Sequence, residues 1–525
     1  MPEKGCRVSA PRWHGLPARG SWACPRPRHG LEARATSEEG RPGSRLFART
    51  ALLALLLSAV LALPACAGFV EGVVPTESGF AGAVTVVSEE QDGPCGVVTV
   101  RVPYLGVLGD EKTGLARVVF PKKAAEKGAR LPAFCHVHYE KDAGGAKQWA
   151  GKGWAVFTAA YTGADGESPI DVSVGNGNNL ARAVIQWARR CPFVDPARMH
   201  IDGGSQGGYM ALAMSADMFP VTSTTADVPV VNWCYNIGYL EANRAFSGFP
   251  GHEAESPLPV MGMVTGLAEM AYAYFPRDLS ADAWYWLSPV SMLDRIANPV
   301  LVTSATGDML VPMEQMSRTH FRAPDPALFP EGYRRDFDGL TANEKARKVF
   351  EECLPPEKVF IHVEPRPEDG FAYTREMILD PKQMPKKKQK HIDRKWSPDH
   401  QWSLFYMDEG GPLPFAGHNS WNWNAGPDSF TKHYRDAKPD PAVLNAAKLL
   451  RLMERHEGKL SNLPLLNSGA PANRCNHADA ERRDVRAGLA AYAALGPDHA
   501  ARLKALYAEC PLKALGETLP ADIAP

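Results

Sequence analysis

Ser205 lies in the run Gly203-Gly204-Ser205-Gln206-Gly207-Gly208, between a strand-like segment, Met199-His-Ile-Asp202, and an apolar stretch of helical character. A serine on a sharp strand-to-helix turn needs small neighbours, because a side chain at Gly203 or Gly207 would collide with the opposing backbone. The G-x-S-x-G spacing meets that demand and predicts a nucleophile elbow. Such a turn holds Oγ out at the carboxyl end of a sheet, while the following helix N-terminus offers backbone N–H groups to a developing oxyanion. The chemistry that suits this arrangement is attack of a hydroxyl on an acyl carbon.

A serine hydroxyl is a weak nucleophile at neutral pH. It needs a general base, and the base needs a carboxylate that fixes its tautomer and stabilises its cation. Both residue types follow in the order such sites use. The segment Asn298-Pro-Val-Leu-Val-Thr-Ser-Ala-Thr-Gly-Asp308 reads as a buried parallel strand ending in small turn residues and an aspartate, so Asp308 is the expected orienting acid. A second apolar run, Trp402-Ser-Leu-Phe-Tyr-Met407, leads into a Gly/Pro-rich loop with Gly417-His418-Asn419, which makes His418 the expected general base. His391 and His400 also lie downstream of Asp308 and remain open as bases. The Gln206 N–H is the first expected oxyanion donor.

These residues sit in stretches that resemble the catalytic domain of the prolyl oligopeptidase and dipeptidyl peptidase family of α/β-hydrolases. The first runs from Trp187 through Val194-Asp-Pro-Ala-Arg-Met-His-Ile-Asp to Gly203-Gly-Ser-Gln-Gly-Gly-Tyr209. The second runs from Trp286-Leu-Ser-Pro289 through Ile296-Ala-Asn-Pro-Val-Leu301 to Asp308-Met-Leu-Val-Pro312. The third and weakest is the strand and glycine before His418. The resemblance spans about residues 115 to 425. It implies a mostly parallel central sheet flanked by helices, a Ser-Asp-His triad, serine peptidase or esterase activity and no cofactor. It also implies that Tyr139, just after the strand-like Leu131-Pro-Ala-Phe-Cys-His-Val-His138, or an amide near it, is the second oxyanion donor.

Two departures limit the carry-over. Fewer than about 70 mature residues precede the core, too few for the β-propeller that guards the family's peptidases. The interval between acid and histidine is also much longer than the resemblance implies. Residues 313–400 form an insertion with a strand-like Lys358-Val-Phe-Ile-His-Val363 and a basic Lys386-Lys-Lys-Gln-Lys390 run, expected to act as a lid or subdomain.

Other residue clusters carry less. His136 and His138 share one strand face, but no third ligand is spaced to complete a metal site. Trp284, Trp286, Trp421 and Trp423 are candidates for lining an acyl or sugar pocket, or for packing. Cys135 and Cys234 lie in strand-like apolar runs, where buried thiols are ordinary. Cys475 and Cys510 flank one helical segment and are the favoured disulfide pair.

The N-terminal segment bears on compartment. Residues 51 to 65 are apolar and uncharged, follow Arg45 and Arg49, and are too short to span a bilayer, as in a signal peptide. Leu63-Pro-Ala-Cys66 resembles a bacterial lipobox, which makes Cys66 the expected lipidated N-terminus of an envelope protein. A rival cleavage after Ala65-Cys-Ala67 would release a soluble, secreted one. The first 65 residues carry ten Lys/Arg and four Asp/Glu, so removing them takes the formal charge from −1 to −7. That balance does not suit nucleic acid.

The 525 residues, 45% of them hydrophobic, suit one large α/β domain and an appendage. The expected organisation is an extension and signal peptide over 1–66, a catalytic domain over 67–437 that opens with antiparallel strands around Gly96–Val102 and Ala116–Phe120, and a helical appendage over 438–525. The implied function is an exported hydrolase of small esters or short peptides. A retired hydrolase scaffold that serves as an envelope binding lipoprotein is the other reading.

Overall fold

The apolar runs become the interior of one sheet. The computed structural model describes residues 84–105, 111–137, 143–160, 176–216, 221–238, 288–305, 354–364, 395–407, 428–437 and 496–509, with a few single residues between these ranges. Among them are ten strands: β1 (Thr85–Asp92), β2 (Cys95–Leu105), β3 (Glu111–Pro121), β4 (Leu131–His136), β5 (Ala155–Ala160), β6 (Val194–Gly204), β7 (Ser223–Asp227), β8 (Val300–Ala305), β9 (Val359–Glu364) and β10 (Trp402–Met407). They form a single sheet in the order β1-β2-β3-β5-β4-β6-β7-β8-β10-β9. Pairing is antiparallel from β1 to β5 and parallel across β5, β4, β6, β7, β8, β10 and β9.

The sequence explains that division. A parallel strand is covered on both faces and reads as a continuous apolar run, as β4 does with Leu131 to Cys135 all buried. The outer strand β1 alternates weakly and is mostly exposed, which suits an edge. Among the described residues, helices accompany the strands: α1 (Lys122–Glu126), α2 (Ala143–Gly151), α3 (Asn176–Arg190), α4 (Gln206–Ala216), α5 (Asp428–Asp436) and α6 (Pro497–Glu509). Every residue of α4 is buried, so this helix is enclosed and apolar all round apart from Gln206 and Ser215. Val118, Phe157, Ile201, Val302 and Leu404 are wholly buried in the same core, each contributing about 2 kcal/mol by leaving water.

Several expectations change in detail. The strand before Ser205 is longer than Met199–Asp202, because it starts at Val194. The strand expected over Leu131–His138 runs from Leu131 to His136, and His138 lies outside the described residues. Cys234 stands in a helical turn over residues 233–238, not a strand; a short apolar run fits either element. Trp284 is fully buried and donates its indole N–H to the Asp278 carbonyl at 2.9 Å, which makes it a packing residue. Trp286, Trp421, Trp423, Cys66, Cys475 and Cys510 lie outside the described residues. Cys95, Cys135 and Cys191 are buried free thiols, and Cys234 is buried as well.

The insertion before the histidine loop contributes to the sheet itself. β9 comes from it, pairing with β10 in parallel along all six residues, Trp402 opposite Val359 and Met407 opposite Glu364. β10 is thereby an interior strand, held by β8 on its other side. Among the described residues no helix is long and apolar enough to cross a membrane.

Candidate active site

Ser205 follows β6 directly and precedes α4, at the carboxyl end of the parallel strands. Its φ is +57°, in the left-handed region that L-residues with a side chain rarely adopt. The turn is enforced by contact. A Cβ at Gly203 would stand 2.1 Å from the Gly207 carbonyl oxygen, and one at Gly208 would stand 2.8 Å from the Asp227 oxygen and 2.8 Å from Pro229 Cα. Only bare backbone lets the start of α4 lie this close to the ends of β6 and β7. The Ser205 N–H donates to the Asp227 carbonyl at 2.8 Å, and the Tyr209 N–H donates to the Ser205 carbonyl at 3.2 Å. These bonds pin the strained residue from both sides.

Asp227 is a neighbour that sequence reading passed over. It ends β7, its register partner on β6 is Gly204, and its carboxylate accepts the Thr303 hydroxyl of β8. It thus ties three strand ends together beside the elbow. The local signal was an aspartate closing a short β-branched run before Val228-Pro229, which by itself reads as an ordinary turn.

On the other side, His136 closes β4 and its Nδ1 lies 2.6 Å from Asp202 Oδ2, three residues before Ser205. Both side chains are largely buried, at 13% and 15% exposure. The histidine weighed above as a metal ligand is thus hydrogen-bonded to Asp202. Among the described residues no group of three His, Cys, Asp or Glu side chains could hold a metal.

Gln206 is the first residue of α4, so its N–H belongs to the free first turn of that helix, where an oxyanion donor is needed. Tyr139, Asp308 and His418 lie outside the described residues. The elements that precede two of them are in place: β8 ends at Ala305, three residues before Asp308, and β10 ends at Met407, at the same carboxyl edge as Ser205. Past the histidine loop, α5 crosses the face of β6. Phe430 meets His200 edge-on with ring centroids 6.5 Å apart, and Arg435 donates to the Lys152 carbonyl, just ahead of β5, at 2.6 Å.

His400 is placed otherwise. It precedes β10, bonds Ser397 Oγ through Nδ1 at 2.8 Å and packs on Phe360 near the start of β9. That is the amino edge of the sheet. Six residues of strand separate it from the carboxyl edge, roughly 20 Å at a strand's rise per residue. His400 is not placed to take a proton from Ser205. His391 lies outside the described residues.

A parallel sheet whose order reverses around β4 and β5, antiparallel strands at one edge, helices on its faces and a strained serine elbow after a central strand define an α/β-hydrolase fold. No protein-family model matches this chain, and no curated protein does. Among solved structures it is similar to acetyl xylan esterase from Paenibacillus sp. R4, at 16% identity over 44% of this chain and 76% of that one, with a TM-score of 0.32. It is similar to Pyrococcus horikoshii acylaminoacyl peptidase, at 12% identity over 67% of this chain and 48% of that one, with a TM-score of 0.34. An esterase from Pyrococcus furiosus is similar at 12% identity over 64% of this chain and 88% of that one, with a TM-score of 0.33. At these distances the strand order and the elbow carry the assignment of fold.

Proposed function

We propose that this chain is an exported serine hydrolase that cleaves small esters or short peptide-like amides through an acyl-enzyme, with Ser205 as nucleophile, His418 as general base and Asp308 as orienting acid. One observation carries the reading: Ser205 is held at φ +57° by glycine contacts that tolerate no side chain. Strain of this kind persists only where the surroundings enforce it, and it is most often found at functional sites. In the proposed reaction Ser205 Oγ bonds to the acyl carbon as its proton passes to His418. The oxyanion takes the Gln206 N–H and a donor from Tyr139 or its neighbours. The protonated His418 then hands its proton to the leaving group, and water, deprotonated by the same imidazole, releases the acid.

Ester cleavage is favoured over peptide cleavage, because it demands less protonation of the leaving group. Export rests on the apolar segment 51–65, and lipid anchoring on Cys66. The test is a fluorophosphonate probe read by intact mass. One adduct on the folded protein and none on Ser205→Ala is the expected result; equal labelling of both, or none on either, overturns it. A panel of p-nitrophenyl esters, acetylated sugars and aminoacyl arylamides then separates esterase from peptidase.

A further inference from the structure

Three strands meet at their carboxyl ends just before the elbow, and their polar side chains form a chain of hydrogen bonds with one sense. Asp202 as a carboxylate only accepts: from His136 Nδ1 at 2.6 Å and from Thr225 Oγ1 at 2.8 Å. Since the Thr225 hydroxyl spends its proton on Asp202, it accepts from His200 Nε2, 2.8 Å away. That fixes the His200 tautomer, so its Nδ1 accepts from Ser223 Oγ at 2.7 Å. His200 is wholly buried, flanked by Phe134 and Trp154 with centroids 5.0 and 6.0 Å away. Every link joins different strands: β4 to β6 through His136 and Asp202, and β6 to β7 through Asp202, Thr225, His200 and Ser223. The two residues after Asp202 are glycines, with no side chain to anchor them before Ser205. Asp202 is the last side-chain handle on β6 ahead of the nucleophile.

We propose that His136 is a positioning residue for Ser205: by donating to Asp202 it locks the end of β6 between β4 and β7, and so sets where the elbow presents Oγ. This rests on Ser205 being the nucleophile, and its reach is the rate of the covalent step, not the fit of the ligand. An error of about 1 Å in placing a reacting atom can cost on the order of 100-fold in rate. Asn presents an amide donor close to the place of His Nδ1, so it is the conservative replacement.

Fluorophosphonate labelling of the full chain, resolved into a maximal rate and a half-saturating probe concentration, tests this. For His136→Ala the maximal rate is expected to fall about 10- to 100-fold with half-saturation unchanged, and His136→Asn is expected to regain most of the loss. Wild-type labelling by His136→Ala, while Ser205→Ala stays unlabelled, overturns the inference and leaves the nucleophile standing. Equal slowing in the Ala and Asn variants, or a change in half-saturation alone, also overturns it. A wild-type chain that takes no label overturns the hydrolase reading and this one with it. Should His136→Ala fail to fold by circular dichroism, Thr225→Val removes the other donor to Asp202. A several-fold slower maximal rate is then expected, and an unchanged one refutes the proposal.

Discussion

A single methyl at position 203 would stand 2.1 Å from a carbonyl oxygen, so the first turn of α4 and the end of β6 cannot both stay where they are in Gly203→Ala. Overpacking of that kind costs on the order of 1–3 kcal/mol. The variant is expected to melt lower than wild type and to lose probe labelling at Ser205; a labelled, equally stable Gly203→Ala would show that the contact is not what holds the turn. The base is tested in the same way. His418→Ala is expected to lose on the order of 10⁴ in rate, whereas His400→Ala, at the far edge of the sheet, is expected to stay within a few-fold of wild type in steady-state hydrolysis. A collapse at His400 with little change at His418 would reverse the assignment. The thiols give a third test. Burial pushes the Cys135 and Cys191 thiols far up and the Cys234 thiol up to about 12, so none of them is a thiolate near neutrality. Peptide mapping after iodoacetamide at pH 8 is expected to find Cys135, Cys191 and Cys234 unmodified in native protein and modified in guanidinium. The sign of the linked stability follows: from an ordinary thiol value of 9.0 in the unfolded chain to about 12 at Cys234 in the fold, rising pH draws protons off the unfolded state first and lowers stability across that window.

Among the elements, β10 was legible end to end, and β9 nearly so, because each is a short apolar run bounded by turn residues. What could not be read was where β9 goes. Parallel pairing joins segments far apart in the chain, and nothing local in Val359–Glu364 says that it docks outside β10. The same reason hid the His136–Asp202 pair and the Thr303–Asp227 bond: each joins residues that are neighbours only once strand register exists. The elbow was legible because its demand is local, four glycines around a serine and its neighbour. β9 also changes what a deletion does. Excising 313–400 strips a six-residue strand from β10, so that variant is expected to melt lower by more than about 5 °C, while excising 365–394 alone keeps β9 and is expected to stay within a few degrees. If both melt alike, β9 does not brace the sheet. The shorter deletion is also the one that tests the lid, with bulkier esters turned over faster and small ones unchanged.

At the scale of the whole molecule, the lid expected in residues 313–400 is the size filter to test. Small acyl esters are the expected substrates. Turnover of aminoacyl arylamides without any simple ester would move the reading to a peptidase. Envelope attachment is a separate matter: Cys66→Ser is expected to shift the protein from the membrane fraction to the soluble one if the lipobox reading holds, and an unchanged distribution would favour cleavage after Ala67.

β10, the strand leading to the proposed base, is flanked by β8 and β9 and comes late in the chain, long after the elbow has been made. A polypeptide synthesised from its N-terminus therefore carries the residues of its serine turn well before it can build β10. On the proposed assignment of His418, the hydroxyl would lack an aligned base until β10 slots between its two partners. With His418 as the proposed base, the interior position of one late strand would act as a timer, leaving an unfinished chain without the group that activates its serine.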